Sequence, residues 1–579
     1  MPKSSRRSRN ERRRSAREST RAQAATPSSP LGTPLETVPA PGVSRHLPLL
    51  IVLAALVLVA LVRLRVAGVP LERDEGEYAY AGQLILQGIP PYQLAYNMKF
   101  PGTYYAYSLI MALFGQTPWG IHVGLLLVNA ASTILLFFLG RRLLGVFAAT
   151  VAAVAFAVLS LDRSVMGVFA HATHFVVLPA LAGFMVLLRA INSKHAGSFV
   201  GAGALLGVAV LMKQQAIFFL PFASAFVLWS RNRHSWNLRD TALRSVLLAL
   251  GAAIPFAALC GLFLAQGVFG KFWFWTFQYA REYVSEVPLS AAWSMFIEGW
   301  KNITRANLLM WLLAASGVAL LWVVRWTREA RVFLMGLLFA SMLAISPGFF
   351  FRQHYFILLL PIAALFIGVA CASIRRAAGH IVPANAARAI ALVLFGVVLS
   401  AYAIKEEEYL VSLPTRDLSR AVYGVNPFIE AADIAAYISR NTNPSDRIAV
   451  LGSEPEIYFY ANRRSATGYI YTYALMESQA YAQRMQDEMI REIESVHPAY
   501  LVLVNIGTSW LARRADEKIL LWANRYTSAC YDIVGVADIY SLESSAVVWD
   551  GAVAGYRPRS ANTVYTFRRK SLASCKAAG

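Results

Sequence analysis

The chain of 579 residues is long enough for three or four soluble domains at roughly 150 residues each, but 57% of its residues are hydrophobic and only 15% charged, with a mean hydropathy of +0.47. Ordinary soluble chains carry about 25% charge, so a disordered, fibrous or wholly water-soluble protein is excluded and a membrane protein is expected. The 54 Lys and Arg outnumber the 33 Asp and Glu, for a net charge of +21, yet they form no folded basic patch of the kind a nucleic acid needs and instead flank apolar runs, as the cytoplasmic excess of Lys and Arg in membrane proteins does.

Residues 1–45, rich in Arg, Ser and Pro around Arg12-Arg13-Arg14, cannot bury enough apolar surface to offset ordering and predict a disordered basic tail. The apolar run at about 47–67 is too long and too far along the chain for a cleaved signal, and predicts a first transmembrane helix. Further stretches near the 20 residues that cross a bilayer fall at about 119–140, 144–161, 172–190, 197–212, 215–230, 244–267, 303–325, 331–346, 354–373 and 385–404, giving eleven. A cytoplasmic N terminus places Arg141-Arg142, Arg189 with Lys194, Arg231 to Arg244, Arg325 to Arg331, and Arg375-Arg376 all inside. The opposite loops are longer, more acidic or more aromatic, and an odd helix count exports the C-terminal part. Residues 46–404 thus read as a multi-pass module of the plasma (inner) membrane, with its lipid bilayer as the surroundings and a first outside loop at 68–117.

Residues 405–579 turn polar, with strand-like runs Arg447–Leu451 and Tyr500–Val504, each preceded by a helical pattern. This alternation predicts a small extracytoplasmic α/β domain. Of the four cysteines, Cys260 and Cys371 lie in apolar runs, whereas Cys530 and Cys575 can pair if this domain faces an oxidising compartment. Gly452-Ser453-Glu454-Pro455-Glu456 follows a strand but lacks any nucleotide-loop spacing; acceptor selection and plain packing both remain open for it.

The first outside loop carries Glu72-Arg73-Asp74-Glu75-Gly76-Glu77-Tyr78, then Lys99-Phe100-Pro101 and an aromatic stretch to Gly115 that should lie along the interface. An Asp-Glu pair before a Tyr, a Lys-x-Pro leading an aromatic helix, and a helix ending Gly140-Arg141-Arg142-Leu143-Leu144-Gly145 resemble the GT-C membrane glycosyltransferases. Within them the closest likeness is to the protein O-mannosyltransferase and lipid A aminoarabinose transferase group, over roughly residues 47–375. The resemblance implies transfer of a hexose or pentose from a polyprenyl-phosphate sugar donor to an extracytoplasmic acceptor, whether lipid, glycan or protein. It puts the family's Asp-Glu pair on Asp74 and Glu75, with Asp74 as the base.

Such a transfer needs a carboxylate to orient or deprotonate a hydroxyl and positive charge for the leaving phosphate. Lys213, Arg352, His354 and Lys99 are the candidates for the phosphate, and Glu77, Tyr78, His174 and Tyr279 for the substrates. The family often has an acid where Phe169-Ala170-His171-Ala172-Thr173-His174 stands; His174 takes its place, with Asp162 a nearby carboxylate, so no cofactor is assigned and a divalent metal stays open. The aromatic loop at 271–302, with Trp273, Trp275, Tyr279, Arg281 and Tyr283, suits either a sugar or an interfacial belt. A transporter or flippase of a lipid-linked sugar would put its ionisable groups near the bilayer midplane, and a non-catalytic scaffold would make the loop acids dispensable.

Overall fold

The computed structural model describes residues 46–193, 195–511, 518–571 and 575; the expected basic tail and Lys194 lie outside the described residues. Each of the eleven apolar stretches contains a helix. Six helices of 20 to 28 residues, with mean hydropathy of 2.0 to 2.8, are long and apolar enough to cross a membrane, or seven spans if Leu289–Ala306 and Leu308–Val323, bent by 111°, form one. Val146–Leu159, Gly197–Met212 and Arg331–Ile345 are apolar but hold only 14, 16 and 15 residues, short of the ~20 that a bilayer needs. Length and composition therefore account for six or seven crossings.

The helix ends sort by charge. Arg142 donates to the Leu188 carbonyl at 2.8 Å, His234 meets Asn192 at 3.2 Å, and Arg375 and Arg376 lie over Phe147 and Trp326 at 4.6 and 3.8 Å. These contacts gather the basic termini into one face. The other ends of the same helices run into His171, Gln214–Phe218 and Gln353–Leu359, where the chain breaks from α-helix and ionisable side chains collect.

Between the first two long helices, Arg73–Leu86 and Gly102–Phe114 pair as a helical hairpin. The first is started by a reciprocal cap: Glu72 accepts from the Glu75 N–H at 2.9 Å, and Glu75 accepts from the Glu72 N–H at 3.2 Å. Asp74 consequently stands in the first turn, where the helix dipole favours an anion. Gly102 lets the second helix begin against the Leu211–Met212 backbone, since a Cβ there would collide with the Leu211 carbonyl. Thr103 seals that approach by donating to the Met212 carbonyl at 2.9 Å.

The C-terminal part contains a six-stranded mixed sheet of order β2-β1-β3-β6-β4-β5. Its strands are β1 Arg447–Leu451, β2 Arg464–Ser465, β3 Tyr500–Asn505, β4 Tyr531–Ile539, β5 Ser545–Trp549 and β6 Thr563–Arg569. β1 runs parallel to β2 and β3, and β6 is antiparallel to β3 and β4. The two anticipated strands are β1 and β3, behind helices Phe428–Arg440 and Ala482–Val496, and Cys530 is bonded to Cys575.

The sheet's helices share one core with the helical hairpin, in which Tyr80 stacks on Tyr458 at 5.1 Å. The Gly452–Glu456 turn is the clasp. Arg73 donates to the Ser453 carbonyl at 2.6 Å and to buried Glu454 at 2.7 Å, and Gly76 admits Glu456 where any Cβ would collide with its backbone. Packing against the membrane part is what this turn does. Arg73→Met should therefore strand the Glu454 carboxylate and cost roughly 3–5 kcal/mol, the usual loss for a broken buried pair, read as a lower unfolding temperature in detergent; an unchanged temperature would show that the clasp holds nothing.

Candidate active site

Asp74 lies at the centre of a polar cluster drawn from distant parts of the chain. Its Oδ1 accepts from Lys99 Nζ at 2.8 Å and from the Tyr471 hydroxyl at 3.0 Å, while Oδ2 faces His171 Nδ1 at 3.9 Å and His354 Nε2 at 4.0 Å. Lys99 also holds Glu77 at 2.6 Å, and Glu77 accepts from Tyr104. Burial by itself raises the Asp74 carboxyl, but Lys99 with the two histidines overcomes it and keeps the group well below the usual carboxylate range. Glu72 goes the other way, raised by burial and by Asp74 and Glu75, and burial pulls the His171 imidazole down to about 4. An ionised Asp74 beside a neutral His171 imidazole is the state expected near pH 7.

A cavity of about 550 Å3 opens beside Asp74. Seven of the ten residues singled out in the sequence line it: Asp74, Tyr78, Lys99, Lys213, Tyr279, Arg352 and His354. Among the described residues Lys213 has no carboxylate within ion-pair reach, and it lies over the Tyr355 ring at 4.4 Å. Burial lowers its ammonium to about 7, against the pull of Asp74 and with the push of Lys99 and Arg352. Arg352 touches the Tyr283 hydroxyl at 3.4 Å. The aromatic loop folds as Phe269–Trp273, a π-turn at Phe274–Tyr279 and Ala280–Val284; it turns Trp275, Tyr279, Arg281 and Tyr283 to the cavity and leaves Trp273 on the outside, 41% exposed. Ile217, Phe277 and Val284 at the cavity wall are themselves 36 to 46% exposed, so the apolar side of the cavity is open.

The other three residues sit elsewhere. Glu75 is completely buried, and its carboxylate is consumed by His122 at 2.9 Å, the Ala170 N–H at 2.5 Å and the helix cap; it positions the loop and does not face the cavity. Glu77 stands behind Lys99. His174 pairs with Asn129 at 3.1 Å inside the helix bundle, because the turn before Ala172 aims His171, three residues earlier, at Asp74. Asp162 is used up by the Ser164 N–H at 2.8 Å and by Asn307. Lys99, proposed for phosphate, is already neutralised by two carboxylates. Tyr471, Tyr473 and Glu477 at the cavity were not anticipated; the alternating Tyr469-Ile470-Tyr471-Thr472-Tyr473 was the available signal.

Asp74, His171 and His354 also place ligating atoms within 4.8 Å of one another. The fit to a metal is poor. The two imidazoles stack nearly parallel, 4.2 Å apart at 14°, so their in-plane lone pairs run side by side and do not converge on one ion, and the Lys99 ammonium already occupies Asp74.

A helical membrane module whose first inter-helix hairpin carries a buried acid at a cavity, closed by a C-terminal mixed sheet, is a GT-C glycosyltransferase-like fold. Residues 99–259 match the family model of dolichyl-phosphate-mannose-protein mannosyltransferase. No curated protein matches the chain. Among solved structures the chain is similar to ArnT from Cupriavidus metallidurans bound to undecaprenyl phosphate, with 15% identity, 91% of this chain and 99% of that one covered, and a TM-score of 0.56. It is similar also to the same protein in the apo state (17% identity, 87% and 99% covered, TM-score 0.53). The oligosaccharyltransferase of Archaeoglobus fulgidus tethered with an acceptor peptide matches at 13% identity, with 87% and 74% covered and a TM-score of 0.50. At such identities the likeness defines the fold.

The division of labour between neighbouring acids is testable by stability. Glu75→Ala removes the acceptor from His122, the Ala170 N–H and the Glu72 N–H, at about 1–3 kcal/mol for each buried group left unpaired, and should lower the unfolding temperature sharply; Asp74→Asn, isosteric, at the cavity edge and leaving Lys99 its pair with Glu77, should lower it much less. Equal losses in the two variants would contradict the separation.

Proposed function

We propose that the protein is an integral-membrane glycosyltransferase that moves a hexose or pentose from a polyprenyl-phosphate donor to an extracytoplasmic acceptor hydroxyl. One observation carries the reading: the ionised Asp74 and two cations without carboxylate partners among the described residues, Lys213 and Arg352, face one cavity whose apolar side is open. A lipid phosphate needs that combination, an apolar approach for its chain and positive charge where the leaving group's charge grows. Arginine offers a planar fork and lysine a compact charge, so the pair suits a phosphate better than either alone. The undecaprenyl phosphate bound to the similar ArnT supports the same donor class.

In this reading Asp74 orients the acceptor hydroxyl and takes its proton as the new bond forms. Its lowered pKa keeps it ionised for that task, and phosphate leaves as a stable anion with no need of a strong general acid. Trp275 and Tyr279 border the sugar's place. The ionisable groups of the cavity stand at helix ends, which favours an interfacial enzyme over a transporter with charges at mid-membrane. The Cys530–Cys575 bond supports an oxidising, extracytoplasmic setting for the sheet, and with it a cytoplasmic N terminus, an odd number of crossings and a catalytic hairpin within 68–117.

Asp74→Asn should lower transfer by about 100-fold or more with membrane insertion intact; near-normal turnover of the purified variant would sink the reading. Lys213 sets a second test. Above about pH 7 its amine is neutral in the free enzyme, so kcat/KM for the donor should fall as pH rises through that value, and Lys213→Arg should remove this alkaline limb. A profile identical in both proteins would place the phosphate elsewhere. Orientation is checked by reporter fusions at residue 30 and at the C terminus, which should report opposite sides of the membrane.

A further inference from the structure

A second cavity of about 470 Å3 meets the first at Asp74, Arg352, His354 and Tyr473, so the carboxylate stands at the junction of two chambers. They differ in charge. The first holds Lys213, whereas on the wall of the second Arg73 is closed off by Glu454 and Arg352 is shared with the first. Among the described residues there, Gln353, Asn302 and Glu298 keep side chains with no hydrogen bond or ion pair inside the protein; Glu298 and Asn302 stand one turn apart on the Leu289–Ala306 helix. Planar amides that donate and accept together match vicinal hydroxyls, and the rings of Tyr423 and Phe428 add apolar faces to the same wall.

At the junction the two oxygens of Asp74 are divided. Oδ1 is filled by Lys99 and Tyr471. Oδ2 reaches His171 and His354 only at 3.9 and 4.0 Å, and the buried His171 Nδ1 has no hydrogen-bond partner although its Nε2 lies 3.1 Å from the Tyr423 hydroxyl. Asp74 Oδ2 and the unpartnered His171 Nδ1, 3.9 Å apart, leave a place for one oxygen at about 2.8 Å from both, an ordinary hydrogen-bond length.

We infer that the second cavity takes the end of an uncharged oligosaccharide as the acceptor, with its attacking hydroxyl held between Asp74 Oδ2 and His171 Nδ1. The inference rests on the glycosyltransferase reading above and names the acceptor's chemistry within it. The hydroxyl oxygen bonds to the anomeric carbon of the donor sugar as the bond from that carbon to the phosphate oxygen breaks. The bonding pair leaves with the phosphate, and the hydroxyl proton passes to Asp74 Oδ2. An imidazole N–H at the oxygen's second lone pair aims the first along the line of attack. The wall also carries Met166, Met295, Phe350, Phe351 and Leu511, but a lipid chain laid along it would leave Glu298, Asn302 and Gln353 without partners, and an anionic glycan would want a cation that the second chamber does not keep to itself.

The test uses the full-length protein in nanodiscs, and its binding measurements need no knowledge of the donor sugar. Binding of mannotriose, of an acidic trisaccharide of galacturonate and of a Ser/Thr-rich peptide is followed by saturation-transfer NMR, with undecaprenyl phosphate binding measured alongside. Mannotriose should bind, and Asn302→Ala and Gln353→Ala should each weaken it about tenfold, the effect of losing one or two hydrogen bonds, while undecaprenyl phosphate still binds both variants. His171→Asn should instead retain mannotriose binding and lower kcat at least tenfold with undecaprenyl-phosphate mannose or arabinose as donor. Preference for the peptide or the acidic sugar, or mannotriose binding indifferent to Asn302 and Gln353, overturns the inference and leaves the transferase reading standing. Failure to bind undecaprenyl phosphate at all brings down both.

Discussion

The site depends on one ammonium group shared by two carboxylates. Lys99 sits between Asp74 and Glu77 at 2.8 and 2.6 Å, against the face of Tyr78 at 4.6 Å, in surroundings that would not tolerate any of these charges singly. Burial works against the ammonium, and the two acids more than restore it, holding Lys99 above its ordinary range. One positive charge then serves two negative ones, and the remainder is offset by the helix start at Glu72 and the dipoles around it. Because Lys99 is followed by Phe100-Pro101-Gly102, the same contact fixes where the second helix of the hairpin begins. Gly102 in turn sets how close Leu211 and Met212 approach, and so where Lys213 emerges. The cation that holds Asp74 and the place where the Lys213 cation enters the cavity are set by one stretch of four residues.

Much of this was legible in the sequence because it is written in local signals. The eleven apolar stretches, the strands at Arg447–Leu451 and Tyr500–Val504, and the acidic run next to a Lys-x-Pro are properties of short windows, and the structure places each in a helix, a strand or the site. Roles within a run were harder to read. Asp74 and Glu75 are adjacent, yet the roughly 100° step between successive helix positions separates a residue at the cavity from one locked by His122 and Ala170, and only the reciprocal cap at Glu72 decides which is which. His171 and His174 pose the same difficulty: their order along the chain is visible, but whether the helix starts before or after the first is a matter of a single backbone turn. Tyr471 lies 397 residues from Asp74, and no local pattern announces a partner so remote.

The clasp between the sheet and the hairpin explains why the C-terminal part is more than an appendage. Arg73, Gly76 and Tyr80 lie on the helix that carries Asp74, and each meets a residue between Ser453 and Ser465. That helix is therefore packed from both sides, by membrane helices and by the sheet's helices, and a short segment held this way keeps its first turn without needing length of its own. Preorganisation of this kind is what an acid needs if it must stay ionised in a buried place.

The sheet order ties distant parts of the C-terminal region together. β6, formed by Thr563–Arg569, lies in the interior of the sheet between β3 and β4, although it follows every other described strand in the sequence. Without it β3 would lack one neighbour and the β4–β5 pair would be unattached, so the layer behind Tyr471 and the clasp turn closes only when the latest described strand slots into its middle. The wall that faces Asp74 is in this sense keyed by a strand remote from it in sequence.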